Sequence, residues 1–126
     1  IEKILSNLLT NAAESQKTDQ DPVNLSIYSA SPGSIRANHI FPMDWKPLNE
    51  GYACIEVRDK GCGIAPGNIE KLFDPYYSEK FTGRGMGLAI VQGIVQIYNG
   101  VITVNSKENH GSTFRVYLPT FTEYDS

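Results

Sequence analysis

At 126 residues, with 40% hydrophobic and 20% charged positions, the chain has the size and balance of one globular domain that buries a core without disulfide or metal staples. Its formal net charge of −3 gives no basic stripe for nonspecific nucleic-acid binding, and no apolar run reaches the roughly 18 residues of a membrane span. Two cysteines, Cys54 and Cys62, are too few for a zinc site or a disulfide framework, which points to reduced thiols and a cytoplasmic domain, although the intact protein can be membrane-anchored elsewhere.

Ile1, Ile4, Leu5, Leu8, Leu9, Ala12 and Ala13 recur at helical spacing and predict an amphipathic helix over 1–16. The pattern is already running at the first residue with no cap before it, so the chain reads as an N-terminally truncated fragment. Val23, Leu25 and Ile27 alternate as a strand. Residues 31–50 form a long excursion whose Ile40, Phe41 and Trp45 are too apolar for a free linker, which suggests that it folds back. Residues 52–59 read as a strand with Ala53, Ile55 and Val57 on one face. A Gly-rich turn, a short helix over 66–73 and an aperiodic loop over 74–86 follow. The next helix starts at Gly87 with Ile90, Val91, Ile94, Ile97 and Tyr98 on one stripe, and stops at Asn99-Gly100. Strands at 101–106 and 113–118 close the chain. The predicted fold class is α+β: a two-layer α/β sandwich whose mixed sheet is covered by helices on one face.

Several residues sit where local rules would not put them. Lys3, Asn7, Asn11 and Glu14 share one face of the first helix. A solvated face accounts for Lys3. Two mid-helix asparagines one turn apart are poor helix formers, and their neutral carbonyl oxygens suit a Mg²⁺ already shared with phosphates. Asp59 is in phase with Ile55 and Val57, so its carboxylate points to the buried face; it is either a turn former or an acceptor for an amino group such as that of adenine. Gly61 and Gly63 would let a flat base approach the backbone. Gly83, Gly85 and Gly87 lead into a helix, where successive N–H groups can converge on phosphate, although a helix start without a ligand reads equally well. Lys80 and Arg84 flank this loop. Leu72 and Phe73 read as pins holding the loop to the core. His39 and His110 lie off the helices and read as surface residues.

Taken in order, these pieces resemble the catalytic ATP-binding domain of sensor histidine kinases, within the ATPase fold shared with gyrase, Hsp90 and MutL. Residues 4–12 (ILSNLLTNA) resemble the N box, and 59–64 (DKGCGI) the first glycine box. Residues 72–80 (LFDPYYSEK) are similar to the F-box part of an ATP lid, 83–89 (GRGMGLA) to the second glycine box and 111–114 (GSTF) to the terminal box. By that resemblance the whole of 1–126 is one catalytic domain without its phosphoacceptor part. Asn11 would coordinate Mg²⁺ with Asn7 assisting, and Asp59 would receive the adenine amine beside Gly61 and Gly63. Gly83, Gly85 and Gly87 would donate to phosphates, Lys80 would reach the terminal one, and Thr113 would join the adenine contact. Thr113 has the wrong strand parity unless a bulge precedes it. The lid, over 76–86, would be mobile without nucleotide.

The implied function is presentation of the ATP γ-phosphoryl to a histidine on a separate phosphoacceptor domain of the same protein. A response-regulator receiver would act downstream, with no nucleic acid partner and no membrane insertion by this fragment. Asn7 stands where hydrolysing relatives carry a glutamate base, and an amide cannot take a proton from water. A serine-directed kinase or slow ATPase of the same superfamily, and a degenerate interaction module that binds no nucleotide, are the alternatives.

Overall fold

A computed structural model describes residues 2–16, 22–37, 39–47, 51–74 and 87–120. Helix α1 (Glu2–Ser15) is followed by strand β1 (Val23–Ala30), a 3₁₀ turn (Pro32–Ser34) and the short strand β2 (Ile40–Phe41). Strand β3 (Tyr52–Asp59), helix α2 (Pro66–Ile69), helix α3 (Gly87–Ile97) and strands β4 (Val101–Ser106) and β5 (Ser112–Pro119) complete the order. The α+β, two-layer reading holds. The pairing sense differs from the expected mixture: the sheet runs β1-β3-β5-β4-β2, and all four described pairings are antiparallel. Sequence order alone left this open: the connection that carries α2 and α3 joins β3 to β4, which run parallel but with β5 between them, so the crossover creates no parallel pair.

One cross-strand row, Ile27–Ile55–Val116–Ile102–Phe41, runs the width of the sheet and faces the helices. Except at the β1 edge, where Ile27 is exposed, these residues join Ile4, Leu8 and Ala12 of α1 and Leu88, Val91 and Val95 of α3 in the main core. Leu72 and Phe73 are buried in the same core, as expected of pins, and the Phe73 ring lies 4.5 Å from that of Phe41. The stripe read for α3 is rotated from the one observed. Val91 is fully buried and Ile94 partly, but Ile90, Ile97 and Tyr98 are exposed. Residues 87–97 contain no charged side chain, so their pattern has no polar face to fix the phase. The helix does stop at Asn99-Gly100. Asn99 takes φ 59°, its N–H donates to the Gln96 carbonyl, and that of Gly100 donates to the Val95 carbonyl at 2.9 Å.

The excursion folds back onto the sheet face away from the helices. There Ile35 joins Tyr52, Cys54, Val101 and Tyr117 in a second core, with Ile40 and Trp45 packed against it. Trp45 meets Tyr52 edge-on at 5.7 Å, and its indole N–H donates to the Asn99 carbonyl at 3.4 Å. The same segment supplies β2, which extends the sheet beyond β4.

Candidate functional site

Helix α1 ends against the turn that follows β3. The Ser15 carbonyl accepts the Cys62 N–H at 2.9 Å, and the Cβ that Gly61 lacks would fall on that carbonyl. Gly63, at φ 68°, stands against the Lys107 carbonyl in the same way, while the Asn109 N–H donates to the Cys62 carbonyl at 2.6 Å. The space over both glycines is therefore filled by the chain's own backbone. Close packing of the turn between α1 and the β4–β5 hairpin accounts for them, rather than room for a flat ligand on those sides.

That turn fixes Asp59, which is 3% exposed. Its Oδ1 accepts the Gly61 N–H at 2.8 Å. Burial pushes the Asp59 carboxyl above its ordinary range; the Gly61 N–H, the Ser15 hydroxyl and the Ser112 backbone pull it back without cancelling the effect. Asp59 lies in the helix-facing row Val23–Asp59–Ser112–Ser106. In that row the Ser106 hydroxyl accepts the Ile64 N–H at 2.8 Å and lies 3.0 Å from the Gly111 carbonyl and 2.7 Å from the Ser112 hydroxyl.

Thr113 does not join this group. The register from Ser112 to Pro119 runs without a bulge and pairs Thr113 with Arg58 and Asn105 on the opposite face. Ser112, in phase with Phe114 and Val116, is the residue beside Asp59. The alternation that flagged Thr113 already carried this answer. Ser15 was also missed, although it continues the series Asn7, Asn11 at the same four-residue step.

That series connects the two halves of the site. Asn7, Asn11 and Ser15 form one stripe of α1, about 6 Å apart along the axis, ending beside the buried carboxylate. Asn7 and Asn11 are half-buried, whereas Lys3 and Glu14 of the same helix are exposed. The Asn7 Nδ2 donates to the Lys3 carbonyl at 2.8 Å, so a cation at Asn7 would meet Oδ1. Two neutral amide oxygens on a partly open face fit Mg²⁺ as part of a phosphate complex. No group of three or more His, Cys, Asp or Glu side chains among the described residues offers an all-protein cage. Gly87 is buried at the start of α3, which packs beside α1. Lys80, Gly83, Gly85 and the expected lid lie outside the described residues.

The profile of the family described as histidine kinase-, DNA gyrase B-, and HSP90-like ATPase matches residues 1–122. The chain belongs to this family. Among curated members, the sensor histidine kinase ZraS of Salmonella typhimurium is 36% identical over 97 residues, covering 77% of this chain and 21% of its own length. The signal transduction histidine-protein kinase AtoS of Escherichia coli K12 is 30% identical over 119 residues, 94% of this chain and 16% of its own. The chain thus spans about a fifth or less of the length of the curated relatives it matches. The mycobacterial sensor histidine kinase MprB superposes with a TM-score of 0.67 at 23% identity, covering 93% of this chain and 68% of that one. Full-length ShkA in complex with AMPPNP gives 0.68 at 22% identity, over 93% of this chain and 20% of that one; both share the fold. The kinship with histidine kinase ATP-binding domains read from the five boxes holds. No helix among the described residues is long and apolar enough to cross a membrane.

Proposed function

We propose that this ATPase-family domain binds MgATP and presents the γ-phosphoryl to a histidine on a separate phosphoacceptor domain of the same protein, from which a response-regulator receiver takes it. The observation that carries the reading is the α1 stripe. Asn7 and Asn11 lead, through Ser15, to a buried carboxylate, so cation-binding oxygens and a base acceptor lie along one line. Ionised Asp59 accepts hydrogen bonds from an exocyclic amine, as adenine offers and guanine at the same ring position does not. Asn11 and Asn7 would hold Mg²⁺ through their amide oxygens, and the cation would screen charge on the phosphates. Lys80, Gly83 and Gly85 are carried forward on sequence alone as phosphate contacts, beside Gly87 at the start of α3. Gly61 and Gly63 shape the turn that places Asp59. Asn7 cannot serve as a general base toward water, which favours transfer to a protein side chain over hydrolysis.

Calorimetry tests this directly. The chain should bind MgATP and discriminate against MgGTP, and Asn11→Ala should weaken MgATP binding by about tenfold or more while leaving the thermal midpoint within a few degrees. Absence of heat at millimolar MgATP from a folded chain would refute the reading. Equal affinity for the two nucleotides would remove Asp59 from its role.

A further inference from the structure

The chain between β1 and β3 sends side chains to both faces of the sheet. Ile40 and Phe41, the two residues of β2, pair with Thr103 and Ile102 of β4 and point to opposite sides. Ile35, Ile40 and Trp45 pack in the second core, away from the helices. Phe41 is the one residue of this segment, among those described, that enters the main core. There its ring meets that of Phe73 at 4.5 Å, with the planes at 52°. Phe73 needs such a hold. Helix α2 has four residues, too few to be stable by itself, and single turns continue it. In those turns the Leu72 N–H donates to the Ile69 carbonyl at 3.2 Å, and the Asp74 N–H to that of Lys71 at 3.1 Å. Leu72 and Phe73 are buried and Asp74 is exposed, so Phe73 is where the chain leaves the core. Lys80, Gly83 and Gly85 follow Phe73 in sequence and precede Leu88, which is buried in the same core.

We propose that Phe41 is a positioning residue for the phosphates of the nucleotide. By seating Phe73 it fixes the point from which the chain runs toward the residues that meet phosphate, and it ties that point to the segment between β1 and β3. The inference rests on the MgATP reading above. Phe41 lies on the edge strand beyond β4, whereas Asp59, the acceptor for the base, ends β3, three strands away or about 14 Å. A change at Phe41 therefore reaches the phosphate end of the ligand and not the base. Aromatic pairs contribute through ring geometry as well as buried area, so leucine removes the seat without emptying the core. Misplacing a group that positions a ligand weakens its action even where the fold survives.

The test compares the wild type with Phe41→Leu and with Val95→Ala, a core change about two turns along α3 from Gly87. MgATP binding is measured by calorimetry and adenosine binding by NMR titration, at a temperature where every protein is folded. Phe41→Leu should raise the Kd for MgATP about fivefold and leave that for adenosine unchanged, while Val95→Ala lowers the thermal midpoint and changes neither. Hydrogen exchange in Phe41→Leu should quicken at Leu72 and Asp74 ahead of the amides of β3 and β5. Phe73→Leu should weaken MgATP binding alike, and Phe41→Leu added to it should do little more. An unchanged MgATP Kd in Phe41→Leu, an equal loss for adenosine, or exchange that quickens evenly along the chain would overturn the proposal. A wild-type chain that binds no MgATP would instead refute the nucleotide reading, and the phosphate role of Phe41 with it.

Discussion

Asp59 combines a positional and an energetic role. Its carboxyl is raised above its ordinary range, first by burial, so ionising it in the folded chain costs desolvation that the unfolded chain avoids. The sign follows. The group favours folding below the ordinary carboxylate range and loses that advantage as pH rises through its folded pKa. Asp59→Asn keeps an oxygen for the Gly61 N–H and removes the charge. It should leave the thermal midpoint at pH 7 equal or higher while abolishing MgATP binding, a pairing that scanning calorimetry and titration can read on one sample. A fall of several degrees in the variant would assign Asp59 to structure instead. The alternation of Ile55, Val57 and Asp59 made its burial legible before any coordinates. Thr113 carried a parity conflict that only a bulge could resolve, and the register shows none, so Thr113 lies on the face opposite Asp59 and Ser112 stands beside it.

At the scale of elements, α1 was readable because its apolar and polar positions separate cleanly, whereas α3 had no charge to orient it. The structure turns Val91 and Val95 inward and leaves Ile97 76% exposed. Val91→Ala should therefore cost about 2 kcal/mol, and Ile97→Ala should stay within about 0.5 kcal/mol, by denaturant titration. The reverse ranking would restore the stripe first read from sequence. The excursion was legible as something other than a linker, but its docking face was not. Ile35, Trp45 and Cys54 meet through contacts between residues far apart in the chain, and local pattern holds no record of those. The Phe41–Phe73 contact is of the same kind.

Across the whole molecule, one polar cluster spans the face opposite the helices. The Glu56 Oε1 accepts from Arg115 at 2.7 Å and from the Tyr28 hydroxyl at 2.9 Å, linking β1, β3 and β5. Burial would raise the Glu56 carboxyl, but these hydrogen bonds and the Arg115 and Arg58 charges outweigh it and hold the group below its ordinary range. Its contribution is present above the ordinary carboxylate range and is lost as the pH falls through the folded pKa. Glu56→Gln should cost about 1 kcal/mol at pH 7, a value kept small by solvent screening. Below the ordinary range the two proteins should converge in stability, as acid titration of the thermal midpoint would reveal. A constant difference at every pH would exclude ionisation of Glu56 as the cause.

The segment lying over the second core has a chemical consequence. It shelters the Cys54 thiol, which burial makes harder to ionise, while Cys62 stands exposed on the turn after β3. A maleimide should therefore label the native chain in two steps, one equivalent at once and the second only as fast as the cover lifts. Slow alkylation would then clock the breathing of that flap, separately from global unfolding, using a reporter the chain already carries.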